Sequence, residues 1–96
     1  MIENNRWKFS DVENTAVFTT RQILNENMPI LYVSHDEDDG AWQFHHGKNV
    51  SIENALIISL AEMVNLDNTL NQFFDLPLGW IASRNCISDS WERKRK

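Results

Sequence analysis

One cysteine, two prolines, three glycines and one tyrosine are all that this 96-residue chain holds of those types. The lone thiol, Cys86, excludes an internal disulfide. It has no evident base and no helix start beside it to lower its pKa, which speaks for an incidental rather than a reactive group. Gly40, Gly47 and Gly79 lie too far apart to form a phosphate-cradling loop. No apolar run approaches the roughly 20 residues that cross a bilayer, so no membrane partner is expected. The opening residues, MIENNRWKFS, lack the apolar core of a signal peptide, which points to a cytoplasmic location.

Positive charge is scarce everywhere except at one end. The net charge is −5, yet the final WERKRK carries four cations and one anion, which leaves −8 on residues 1–90. An acidic body argues against a nucleic-acid partner and suits a basic protein. The basic terminus reads as a frayed, solvated tail.

What is present in quantity is aromatic bulk: four Trp and five Phe in a length that makes one domain. The chain is organised around Pro29 to His46, PILYVSHDEDDGAWQFHH. Ile30 to Val33 is a run of β-formers, with Leu31 and Val33 on one face and Tyr32 on the other. Ala41 to Phe44 alternates, which places Trp42 and Phe44 toward the core. Between the arms Asp39-Gly40 is a turn signal, since Gly40 takes φ > 0 freely. Four consecutive carboxylates, Asp36 to Asp39, belong in water because burying them unpaired is costly.

Around the hairpin, residues 1–14 read as an irregular lead-in that lays Trp7 and Phe9 on the body. Thr15 to Thr19 is a strand. Thr19 with Gln22 matches a capping box for a short helix (Thr20 is the other candidate cap), with Ile23 and Leu24 inward. Pro29 closes that helix, because the residue before proline avoids the α region. Ala55 to Ser59 is a buried strand. Ser59 with Glu62 is a second capping box, opening a helix with Leu60, Met63 and Val64 on one face. Asp67 caps a further helix carrying Leu70, Phe73 and Phe74, and Pro77 stops it. Gly79 to Arg84 is a last strand, open to being an edge, and residues 85–96 are a tail. The fold class is α+β: one domain over residues 15–84, an antiparallel sheet of about four strands with two or three short helices on one face.

Four chemistries compete. His35, His45 and His46 lie near a carboxylate run, a donor set that suits zinc. Adjacent strand residues face apart, however, so at most one of His45 and His46 can join His35. DEDDG also lacks the ligand spacing of a calcium loop. Ser34 and His35, as neighbours, cannot form a nucleophile–base dyad. Asp36, Glu37, Asp38 and Asp39 on a rigid hairpin can steer a basic partner, with His35, Gln43 and His45 as polar contacts. The plain alternative is that the charged tip only keeps the strands soluble. Trp7 and Trp91, if exposed, are interface anchors; packing onto the body is the simpler account. Arg84 is a candidate fold-holding partner for Asp75.

The runs AVFTT, QIL, PILYVSHDEDDGAWQF, IISLAEMVNLD and LPLGWIASR, in this order, resemble a widespread family of small bacterial proteins of unknown function. The resemblance spans residues 15–84. Its marks are a hairpin arm with Gly40, Trp42 and Phe44, and a closing D-x-P-x-G-x-x-A-x-R, here Asp75, Pro77, Gly79, Ala82 and Arg84. Related families with a G-W-x-F arm are predicted immunity proteins of polymorphic toxin systems. The resemblance thus implies a stand-alone, non-enzymatic module that neutralises a protein partner, and it supplies no site residues. This chain departs from it in Ala41, inserted between Gly40 and Trp42, and in its basic end. The expectation is therefore a protein-binding module with a basic, toxin-like partner and no cofactor. The alternative is a small metal-dependent enzyme or ligand-binding domain using the His/Asp cluster.

Overall fold

A computed structural model describes residues 7–47 and 51–96. Among these residues six strands form one sheet: β1 (Ala16–Thr20), β2 (Tyr32–His35), β3 (Trp42–His45), β4 (Ala55–Ser59), β5 (Trp80–Ser83) and β6 (Glu92–Arg95). Their order is β4-β1-β3-β2-β5-β6. The sheet is mixed, because β1 runs parallel to β3 while every other neighbouring pair is antiparallel. The expected sheet of about four antiparallel strands is thus larger, and of mixed sense. Two short helices, α1 (Arg21–Glu26) and α2 (Leu60–Leu66), join a 3₁₀ turn at Ile52–Asn54 and a 3₁₀ helix over Asn68–Asp75.

Pairing fixes two faces. Val33 lies opposite Phe44 and Ala82, and His35 opposite Trp42 and Trp80. With Val17 they mark the inner face, whose apolar residues form one core cluster with Ile23 of α1, Leu60, Met63 and Val64 of α2, and Leu70, Phe73 and Leu76. The outer face carries Phe18, Gln43, Ser34, Ile81 and Lys94 in one row across the sheet. The next row holds Ala55, Thr20, His45, Tyr32 and Ser83.

Helix α2 starts as its sequence directs. Ser59 Oγ accepts from Glu62 N at 3.0 Å, and Glu62 Oε1 accepts from Ser59 N at 3.0 Å. The box expected for α1 does not form: Thr20 is the cap residue and makes no side-chain cap bond. Thr20 is instead drawn into the sheet, where its Oγ1 lies 3.2 Å from His46 Nδ1. Buried Thr19 sits on the inner side with its hydroxyl unpaired among the described residues.

The segment after Asp67 is 3₁₀ rather than α, and this corrects its inward face. Three residues per turn align Leu70, Phe73 and Leu76, all buried, and rotate Phe74 outward to 45% exposure. The turn that follows places Gly79 at φ +83, with Trp80 N donating to Pro77 O at 3.1 Å.

Three further expectations change. Strand β4 is not buried, because among the described residues it pairs only with β1 and forms a sheet edge. Strand β5 is not an edge, because β6 covers it. Nor is the C-terminal segment irregular over Glu92–Arg95, which is a strand. Arg93 explains part of this: it bonds Asp75 Oδ1 at 2.9 Å and the Gln72 carbonyl at 2.7 Å. Arg84 therefore does not pair with Asp75. It donates to the carbonyls of Ile30 and Ile87 and lies 4.2 Å from the Trp91 ring centre. Trp91 meets Phe73 edge-on at 4.9 Å, and Trp7 donates to Asp11 O at 2.7 Å beside Phe9. Both terminal tryptophans are half-buried on the body. The part of the lead-in before Trp7 lies outside the described residues.

Candidate functional site

The β2–β3 hairpin is closed one step beyond its strands, where Asp36 N donates to Ala41 O at 2.8 Å. Ala41 thus extends the ladder instead of breaking it. The loop tightens through Gly40 N to Asp36 O at 2.8 Å, with Gly40 at φ +74. Asp39 Oδ1 accepts from Ala41 N at 3.0 Å. A second support comes from the neighbouring turn: Gly79 N donates to His35 O at 2.7 Å. Glu37 packs so close to Gly79 that a side chain there would meet Glu37 Oε1 at 3.0 Å. The tip is therefore held from inside its own loop and from the turn that leads into β5.

Its four carboxylates have unlike surroundings. Asp36 turns back onto the outer face and is only 17% exposed. It accepts from Ser34 Oγ at 3.0 Å and from Gln43 Nε2 at 2.6 Å, and Lys96 Nζ stands 3.8 Å away. Hydrogen bonds from neutral groups, with a cation near, permit the partial burial that the sequence argues against. Glu37, Asp38 and Asp39 are exposed, as expected. The basic end of β6 lies opposite them. Asp36 to Asp39, Leu78, Gly79, Arg95 and Lys96 line a cleft of about 570 Å³.

Gln43 continues the chain of bonds away from the tip. A carboxylate can only accept, so the Gln43 amide must point its NH₂ at Asp36 and its oxygen the other way. His45 Nε2 lies 2.8 Å from that oxygen and so carries the proton. His45 Nδ1 is then a bare acceptor, buried and without a hydrogen-bond partner among the described residues. Burial holds the His45 pKa below its usual range; His46 lowers it further, and the Asp36 charge opposes this only in part. The imidazole is thus neutral at neutral pH. It also borders a second cleft of about 310 Å³, lined by Phe18, Gln43, Ser51, Ile52 and Ala55.

His35 belongs to the other side. Its ring stacks on Trp42 at 3.8 Å and 12°, and Nδ1 donates to the Leu76 carbonyl at 2.7 Å. The register separates it from His45, since His35 pairs with Trp42 and Tyr32 with His45. His45 lies three positions after Trp42, an odd offset, which puts His35 and His45 on opposite faces. A site built on both is therefore not assembled. Among the described residues no group of three or more His, Cys, Asp or Glu is placed to hold a metal ion. Cys86 is exposed beside Ser88.

The candidate residues thus divide into an exposed acidic tip (Glu37, Asp38, Asp39), an outer-face chain (Asp36, Gln43, His45) and an inner-face histidine (His35). Leu78, Arg95 and Lys96 join the site without having been singled out from the sequence. For Arg95 and Lys96 the one signal is charge, since the basic end and the acidic tip complement each other within one chain; nothing in the sequence marks Leu78. No described helix is long and apolar enough to cross a membrane. Comparison with protein-family models, curated proteins and solved structures finds no match.

Proposed function

We propose that the chain is a non-enzymatic protein-binding module that docks a basic protein through the tip of its β2–β3 hairpin. The observation that carries this reading is the rigid presentation of Glu37, Asp38 and Asp39 to solvent, on a loop pinned by its own backbone bonds and by Gly79. Charges fixed before encounter steer a partner and cost little ordering on binding. Exposed Leu78 beside them offers apolar contact. Asp36, Gln43 and His45 act as the frame that holds the tip, and His35 anchors the hairpin to the core side. Occlusion of a toxin-like basic partner, the role implied by the motif resemblance, is the most concrete form of this function.

Affinity capture from native lysate tests it, with the natural chain compared against a variant carrying Glu37→Gln, Asp38→Asn and Asp39→Asn. A basic protein retained by the natural chain should bind the variant about tenfold or more weakly, and binding should weaken with salt. Equal retention by both proteins would sink the tip as the docking surface.

A further inference from the structure

The two edges of the sheet are built differently. Strand β6 presents Glu92, Arg93, Lys94 and Arg95, all charged and all exposed. Such an edge repels further strands. Strand β4 is Ala55-Leu56-Ile57-Ile58-Ser59, with no charge and no proline. Its central residue, Ile57, is 62% exposed.

The backbone of this edge is unevenly occupied. Leu60 N donates to Thr15 O at 2.8 Å. In an antiparallel ladder that bond sets the alternation, so Leu56 and Ile58 turn their backbone groups toward β1 while Ala55, Ile57 and Ser59 turn theirs outward. Two of these outward N–H groups are already satisfied. Ala55 N donates to Ile52 O, and Ser59 N to Glu62 Oε1 at 3.0 Å. The outward N–H and C=O at the centre of the edge belong to Ile57.

We infer that β4 is a self-association edge, where a second copy of this chain pairs antiparallel about a two-fold axis through Ile57. That arrangement is self-complementary. Each Ile57 gives its N–H to, and takes one from, its counterpart, and this register brings together the exposed large apolar side chains of the two edges. Leu56 then lies opposite Ile58 of the other copy on the inner face. The two Ile57 side chains meet on the outer face beside Phe18, which shares a cleft with Ile52, itself 89% exposed. No like charges are brought together within the strand, and the charged β6 edge prevents head-to-tail extension, so association stops at two. Glu53 and Glu62, just beyond the strand ends, approach each other across the axis. Together with the net charge of −5 on each copy, they oppose association at low salt.

So short an interface is a weak one, with Kd on the order of 0.1–1 mM. Sedimentation equilibrium of the full chain up to millimolar concentration should show the mass rising from 11.3 kDa toward twice that value. Added salt should strengthen the association, opposite to its effect on docking at the acidic tip, so failure here and failure of the docking function are distinguishable. Ile57→Lys sets two cations face to face and should weaken dimerisation at least tenfold while leaving the melting curve in place, because the side chain is exposed. In a Cys86→Ser background, Ile57→Cys should be bridged by a short bis-maleimide, each thiol adding across one maleimide double bond, since the two Cα atoms stand about 5.5 Å apart in a hydrogen-bonded pair. A monomer at every concentration overturns the inference, and so does a dimer that Ile57→Lys leaves intact.

Discussion

Gln43 is the hinge of the outer-face chemistry. It is one of several polar residues in a sequence full of them, and period-two alternation puts it on the solvent side. What alternation does not reveal is that the same side holds Ser34, Asp36 and His45 within reach, because their neighbours are set by strand register. The consequence falls on His45. Its imidazole is neutral in the folded chain, with a pKa held below the ordinary 6.5 by burial first. Between the folded value and 6.5 the unfolded chain binds a proton that the folded chain does not. Stability from this group is therefore full above about pH 6.5 and is lost as pH falls through that window. Urea melts at about pH 7.5 and pH 5.5 check this: the natural chain should lose more stability on acidification than His45→Gln does. The exposed Asp75, held low by Arg93, titrates in a more acidic range and does not interfere.

At the scale of elements, the start of α2 was legible because a capping box is local: Ser59 and Glu62 need only each other and three intervening residues. The 3₁₀ helix after it was not. Leu70, Phe73 and Phe74 satisfy an α-helical stripe equally well, and only the tighter winding sends Phe74 out, where Lys8 Nζ lies 5.7 Å from its ring centre. The two phenylalanines therefore answer differently to truncation. Phe73→Ala should cost about 3–5 kcal/mol, as a buried ring does, and Phe74→Ala under about 1 kcal/mol. Denaturant unfolding of both variants measures the difference, and equal costs would mean an α-helical stripe. The apolar run of β4 misled for a related reason. A run of buried-strand composition does not say whether both flanks will be paired, and here one carries no strand among the described residues.

The whole molecule depends on its last residues more than their composition suggests. Glu92 to Arg95 is polar throughout and exposed, so nothing in it resembles a strand by hydrophobic period. It pairs because β5, which holds Ile81 at 5% exposure, would otherwise be an open edge. Arg93 to Asp75 and Lys96 to Asp36 add contacts across the surface. The first is a solvent-exposed pair and the second is long, at 3.8 Å with Lys96 exposed, so both are of small worth and the backbone ladder carries most of the gain. Truncation after Trp91 should then cost about 2–4 kcal/mol, mainly the lost ladder bonds, where removal of a frayed tail would cost nothing. Thermal and urea unfolding of the shortened chain decide between these outcomes.

Local chemistry by itself determined the hairpin with its turn at Gly40, the inward Trp42 and Phe44, the Ser59–Glu62 cap, the stop at Pro77 and the α+β class. Each of these rests on residues close in sequence, whose sterics and hydrogen bonds act without help from the rest of the chain. Tertiary structure alone decided the parallel pairing of β1 with β3, the edge position of β4, the recruitment of β6, the parting of His35 from His45 and the withdrawal of Asp36 from the acidic tip. These depend on which strand lies beside which and in what register, a choice made by burying the whole core at once.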